Sequence, residues 1–183
     1  ALPLVGDLSV VRSSARHPRC CVAAGVSVNG VRAGIDAALV SVILRSHAPI
    51  EPGPAEMLRA VNFSLGERRI EGQFVSLIYA VWDDRNRSVK IANSGLPRPL
   101  YVYDGTIEVI DATGLPLALF AAAEYAELTF KAKPVDLFVL FSHGLLVARN
   151  RVSERVGPPR PAALSAGACR RPATSGVDVR YQR

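Results

Sequence analysis

Polar residues stand beside glycine at four places where we expect a strand to end. A carboxylate such as that of Asp7 offers oxygen ligands to a hard cation, and the neutral imidazole of His143 can ligate Mn²⁺ or Zn²⁺. Taken singly, each place is ordinary turn chemistry, because glycine beside Asp, Asn or Ser is typical of turns. The four places are Gly6-Asp7, Gly25 to Gly30, Asn93-Ser94-Gly95 and Ser142-His143-Gly144.

Other catalytic patterns do not occur in the sequence. The serines next to histidines, Ser46 and Ser142, lack the Gly-x-Ser-x-Gly turn of a serine nucleophile. No phosphate loop and no Gly-x-Gly-x-x-Gly segment follows a predicted strand. The three cysteines, Cys20, Cys21 and Cys169, have neither a disulfide framework's even count nor the Cys-x-x-Cys spacing of a zinc site. Hydrolysis by a side-chain nucleophile is therefore disfavoured, and reduced thiols are expected.

The composition predicts one globular domain. The chain has 183 residues, of which 49% are apolar and 21% charged, and this length is enough to bury a core. No apolar run approaches the ~20 residues of a membrane span, and no secretory signal is visible. We therefore expect a cytoplasmic protein with no membrane partner.

The net charge of +6 comes from the end of the chain. Residues 1–148 carry fourteen basic and fourteen acidic side chains, whereas residues 149–183 carry eight arginines against Glu154 and Asp178. A neutral body with a basic tail is not the charged face that a duplex requires. Nucleic acid is therefore not an expected partner.

Hydrophobic patterning predicts an α+β fold. A strand at 20–28 is followed by helices at 34–45 and 55–65, and the rest of the pattern is typical of strands. Hairpins are expected at the polar turn 83–87 and at Asp104-Gly105. These features favour antiparallel sheets with helices on their faces. The later strands are predicted at 74–82, 88–93, 100–103, 106–110, 127–132 and 137–141.

The turns and the segments between them also form an ordered series of motifs. The series is Gly6-Asp7, Ala24 to Gly30 before a helix, Phe74 to Tyr79, Asn93 to Pro99, Thr113 to Leu117, and Leu140 to Asn150. In this order the chain resembles the metal-dependent protein serine/threonine phosphatases of the type 2C class, in the bacterial branch of sporulation stage II protein E and RsbU. The middle block, residues 74–117, is the most specific part of the resemblance.

The resemblance implies a four-layer α/β/β/α sandwich of two antiparallel sheets flanked by helices. Between the sheets, two Mn²⁺ or Mg²⁺ ions would activate a water molecule, so no protein nucleophile is required. The substrate would be a phosphoserine or phosphothreonine protein, a bacterial regulator of the anti-sigma-factor antagonist type. The resemblance leaves the oligomeric state open and allows a homodimer. The metal positions that it implies are Asp7, Gly25, Val26 and His143.

The chain departs from the family pattern at those metal positions. Asp7 matches the first aspartate, but the bridging aspartate is replaced by Gly25 and the aspartate before the last glycine by His143. The further carboxylate of the family has no counterpart in the arginine-rich tail. One carboxylate and water should hold a hard cation only weakly.

Three functions follow from the sequence. The first is a metal-dependent phosphoprotein phosphatase, and the second is a pseudophosphatase that binds the phosphoprotein without cleaving it. The third is a scaffold that shares only turns and packing with the family. The departures at the metal positions leave a further explanation open, namely that some residues of the sequence are wrongly assigned at these positions.

The expected domain boundary lies near residue 150. Residues 1–150 would form the phosphatase-like domain, and we expect the family's preceding strand and helix to be missing from it. Residues 151–183 would be an arginine- and proline-rich tail or a poorly assigned end of the same domain.

Overall fold

The structure is a computed structural model that describes most of the chain between residues 6 and 143. The backbone is described for residues 6–12, 20–27, 32–47, 53–67, 74–83, 85–104, 106–133, 136–141 and 143. Side chains are described from residue 38 onward. The predicted tail, residues 151–183, lies outside these residues.

Eight strands and two helices are described. The strands are β1 (Gly6–Arg12), β2 (Cys20–Ser27), β3 (Phe74–Asp83), β4 (Ser88–Ser94), β5 (Leu100–Tyr103), β6 (Thr106–Val109), β7 (Leu128–Lys131) and β8 (Leu137–Val139). The helices are α1 (Arg32–His47) and α2 (Pro54–Gly66). None of the helices among the described residues is long and apolar enough to span a bilayer.

The strands form two antiparallel sheets. One has five strands in the order β1-β2-β3-β4-β7, and the other has three strands in the order β6-β5-β8. Helices α1 and α2 both contact the five-stranded sheet. The predicted α+β fold with two antiparallel sheets is confirmed. Within the described residues, helices cover the five-stranded sheet, and any helical layer over the other sheet lies outside them.

Strand β1 is an edge strand that the sequence pattern did not predict. Its seven residues pair with β2 along their whole length, from Gly6 opposite Val26 to Arg12 opposite Cys20. A short segment gains most of its order from such a ladder, so its own sequence carries little signal. Gly6-Asp7 therefore begins a strand and does not form a turn after one.

Strand β3 is buried on both faces. Leu77 and Tyr79 belong to the core under the two helices, whereas Ile78 and Ala80 belong to the core between the sheets. Six consecutive residues of β3 are buried, which explains its nearly continuous apolar sequence. The core between the sheets ends in stacked rings of Tyr101, Tyr103, Phe130 and Phe138. Burial, and then a hydrogen bond to Asp136, raise the pKa of Tyr101 to about 12.

Two of the motif segments meet at one end of the five-stranded sheet. A Cβ on Gly114 would overlap the carbonyl oxygen of Asn93, so only glycine lets these backbones touch. Gly95 has a φ of 81°, and a Cβ there would lie 2.9 Å from Cγ of Pro116 and 3.1 Å from Oγ of Ser76. The glycines of the resemblance therefore serve close backbone packing at this end of the sheet.

Asn93 holds this corner together by hydrogen bonds. Its side chain is 1% exposed, and Nδ2 donates to the carbonyl oxygens of Leu96 and Ala112 at 2.9 and 2.8 Å. Oδ1 accepts from the Leu96 backbone N–H at 2.9 Å. One buried amide thus satisfies two backbone groups of the loop that follows β4 and one of the segment that follows β6.

We predict that Gly114→Ala lowers the free energy of unfolding by about 3 kcal/mol, because the added methyl group overlaps the Asn93 carbonyl. Urea unfolding followed by circular dichroism measures this change. The matched control is Gly66→Ala at the end of α2, where a Cβ meets nothing within 4 Å. Equal stability of the Gly114→Ala variant and the wild type would contradict the described contact.

We also predict that Asn93→Ala costs about 2 kcal/mol of unfolding free energy, because it leaves buried backbone groups without partners. The control is Asn86→Ala, which removes an exposed hydrogen bond to Asp83 in the β3–β4 turn. Thermal unfolding of both variants compares the buried and exposed amides. A loss from Asn86→Ala as large as that from Asn93→Ala would refute the assigned role of Asn93.

Candidate functional site

The predicted metal positions in β1 and β2 lie on two neighbouring, paired strands. The register places Asp7 directly opposite Gly25, and Gly25 directly opposite Ser76 of β3. Positions 7, 25 and 76 therefore form one row across three neighbouring strands. Val26 is in the next row, opposite Gly6 and Val75.

The location of this row follows from Ser76. Ser76 is 3% exposed and lies two residues before Ile78, on the face of β3 that packs toward the three-stranded sheet. The row is therefore at the end of the five-stranded sheet and on its inner side. This is where the resemblance implied the metal pair. The motif glycine Gly95 reaches the same place, since it packs against Ser76.

Sequence reasoning missed Ser76 as a member of this row. The available signal was a single serine within the nearly continuous apolar run of β3, Phe74–Asp83. Ser94 is the second buried serine at this end of the sheet, and its hydroxyl both accepts and donates a hydrogen bond. Its Oγ accepts from the Leu77 backbone N–H at 3.0 Å and donates to the Leu77 carbonyl at 3.1 Å. Ser94 therefore fastens β4 to β3.

His143 is exposed and lies four residues after the end of β8, which belongs to the other sheet. Asp7, Gly25 and Val26 lie in neighbouring strands of the five-stranded sheet. The structure therefore brings three of the four predicted positions into adjacent rows and attaches the fourth to a different sheet. The metal-ligand assignment at all four positions stays a prediction.

The residues in this row do not fit a pair of hard divalent cations. Mg²⁺ and Mn²⁺ favour carboxylate oxygens, and the position that faces Asp7 is a glycine, which supplies no side-chain ligand. The third member of the row, Ser76, offers only a neutral hydroxyl. Among residues with described side chains, no three His, Cys, Asp or Glu groups are placed to hold a metal ion.

Solved structures share this fold. The PP2C phosphatase domain with a regulatory fragment of SpoIIE from Bacillus subtilis superposes with a TM-score of 0.68 at 16% identity, over 76% of this chain and 41% of that one. The SiaA-PP2C domain of Pseudomonas aeruginosa gives 0.70 at 16% identity, over 84% and 63%. The present chain therefore spans less than two thirds of either protein.

A third similar structure is RsbX, which was crystallised in complex with magnesium. It superposes with a TM-score of 0.63 at 13% identity, over 76% of this chain and 66% of that one. At such identities these likenesses establish the fold alone. No curated protein matches the chain.

The family assignment comes from the sequence comparison. The model of the family described as Stage II sporulation protein E (SpoIIE) matches residues 20–179. This match covers most of the chain and includes strands β2 to β8 with both helices. It confirms the resemblance that the ordered motifs predicted: the chain belongs to the Stage II sporulation protein E (SpoIIE) family and has the fold of its PP2C phosphatase domain.

Proposed function

We propose that this chain is a phosphoprotein-binding domain, a pseudophosphatase that recognises a phosphoserine or phosphothreonine protein without hydrolysing it. The observation that carries the proposal is the pairing of Asp7 with Gly25. A second carboxylate at position 25 would be needed to share a pair of divalent cations with Asp7, and glycine cannot supply it. Family membership supports the phosphoprotein as the partner.

The partner that the family favours is a phosphorylated bacterial regulator of the anti-sigma-factor antagonist type, met in the cytoplasm. Binding would use the phosphatase-like domain of residues 1–150, with residues 151–183 as its tail or its own end. The tail carries eight arginines with the preceding Arg149 included, and arginine pairs well with phosphate oxygens. Its excess positive charge therefore supports an acidic partner.

The second candidate function is the metal-dependent phosphoprotein phosphatase itself. Two observations favour it: the family match and the retention of Asp7 at the start of β1. In that case Mn²⁺ or Mg²⁺ would have to be bound with Asp7 as the carboxylate ligand and with the Val26 backbone beside it. The two candidates differ in one measurable property, turnover that depends on a divalent cation.

We predict that the chain binds a phosphorylated anti-sigma-factor antagonist and releases no phosphate from it in Mn²⁺, because the row at position 25 lacks a carboxylate. Fluorescence anisotropy measures binding in EDTA and in Mn²⁺, and phosphate release measures turnover. The unphosphorylated antagonist is the control ligand. Turnover in Mn²⁺ that EDTA abolishes would establish the phosphatase instead, and equal binding of the unphosphorylated protein would refute phosphate recognition.

We further predict that Gly25→Asp combined with His143→Asp raises Mn²⁺-dependent hydrolysis of p-nitrophenyl phosphate by about tenfold or more. The first substitution places a carboxylate opposite Asp7, and the second restores the family's residue at position 143. The control is Gly66→Asp, which adds one carboxylate on α2 where a Cβ meets nothing within 4 Å. If the double variant folds and binds Mn²⁺ but stays inactive, the placement of the site at this row is wrong.

A further inference from the structure

A cavity lies on the other face of the five-stranded sheet, between the start of α2, strand β4 and the segment that precedes β7. Its volume is about 380 Å³, which is within the range of ~300–1,000 Å³ that small-molecule sites occupy. Lys90 of β4 is directly opposite Val81 of β3, and Val81 packs against the core under the helices. Lys90 is therefore on the helix-covered face of the sheet. The cavity is therefore separated from the row at Asp7 and Gly25 by the sheet itself. Its lining is Gly53, Ala55, Glu56, Arg59, Lys90, Tyr125 and Glu127.

Two carboxylates converge above Gly53. A Cβ on Gly53 would lie 2.7 Å from Oε2 of Glu56 and 2.7 Å from Oε2 of Glu127. The two oxygens are thus no farther apart than twice that distance. Gly53 has a φ of −150°, an extended conformation that any residue adopts, so its backbone does not require glycine. What the missing side chain provides is space beneath two carboxylate oxygens.

The other oxygen of each carboxylate is already paired with a cation. Oε1 of Glu56 lies 3.4 Å from Nη1 of Arg59, and Oε1 of Glu127 lies 3.0 Å from Nζ of Lys90. These pairs keep both glutamates in place, while no hydrogen bond joins either Oε2 to another residue with a described side chain. The two negatively charged carboxylates beside Gly53 repel each other unless a hydrogen-bond donor lies between their Oε2 atoms.

Tyr125 supplies a third polar atom without a partner. The residue is 4% exposed, and its hydroxyl is buried with no hydrogen-bond partner among the described residues. A buried unpaired hydroxyl costs about 1–3 kcal/mol, so it is rarely retained without a use. Burial also raises the pKa of Tyr125 to about 12, which keeps the hydroxyl neutral at physiological pH. Because Tyr125 also lines the cavity, a ligand bound beside it would give this hydroxyl a hydrogen-bond donor.

Three acceptors in one cavity match the three N–H donors of a primary ammonium group. The cavity also contains two cations, and Arg59 uses only Nε and Nη1 for Glu124 and Glu56. Nη2 of Arg59 therefore stays available for an anionic group. The lining contains two glutamates and two basic side chains, whose charges cancel. A ligand without net charge therefore leaves the cavity neutral.

From this geometry we infer that the cavity binds a small zwitterion, a free α-amino acid. Its ammonium group lies between Oε2 of Glu56, Oε2 of Glu127 and the hydroxyl of Tyr125. Its carboxylate lies toward Arg59 and Lys90. This ligand site is additional to the phosphoprotein function and does not depend on it.

Isothermal titration calorimetry of the full chain with each of the twenty standard L-amino acids tests the inference. We expect at least one of them to bind with a Kd of about 1 mM or tighter. Propionate, which lacks the ammonium group, and putrescine, which lacks the carboxylate, should bind at least about tenfold more weakly. Failure of all twenty amino acids to bind overturns the inference. If putrescine binds as tightly as the best amino acid, the assignment of the ligand as a zwitterion is wrong.

Two variants locate the binding in this cavity. Gly53→Ala fills the space beneath the two carboxylate oxygens and should abolish the titration signal, whereas the control Gly66→Ala should leave it unchanged. Tyr125→Phe should weaken binding about tenfold while the melting temperature stays equal or rises, because the free protein loses only an unpaired hydroxyl. Tyr103→Phe, in β5 of the other sheet, is its control. Unchanged affinity in both cavity variants would overturn the assignment of the site.

Discussion

Burial of both faces of strand β3 is the constraint on which the rest of the structure depends. Alternate residues of this one strand enter two different cores, one under the helices and one between the sheets. Neighbouring strands must therefore pair with β3 in a fixed register, because a slip by one residue would exchange the two faces. The observed register, Asp7 opposite Gly25 and Gly25 opposite Ser76, is what aligns positions 7, 25 and 76 in one row.

That alignment gives the departures from the family a physical meaning. A glycine at position 25 is not a neutral change in a loop, since the register sets it directly against Asp7. Conversely, the motif residues that the chain retains are mainly those of packing. Gly95, Gly114 and Asn93 hold the loops after β4 and β6 against the sheet end. The chain therefore keeps the packing framework of the PP2C phosphatase fold at this end of the sheet.

The sheet also separates two chemically different regions. The inner face has the row of positions 7, 25 and 76, and the outer face has the charged cavity at the start of α2. Pairing of Lys90 with Glu127, and of Arg59 with Glu56, organises that cavity without closing it. The two regions are built from different residues, because the row lies on β1, β2 and β3 whereas the cavity is lined from α2, β4 and the segment before β7.

The sequence alone predicted the order of helices and of the later strands, because period and turn residues are local signals. It placed both hairpins, with Asp83–Arg87 and Asp104-Gly105 as their turns, and the ordered motifs predicted the family. It missed β1, whose order comes from pairing with β2, and it could not assign β7 and β8 to different sheets. It also gave no indication that Gly53, Glu56, Tyr125 and Glu127 line one cavity. Only tertiary structure decides such contacts, because they join residues far apart in sequence whose local patterns do not depend on each other.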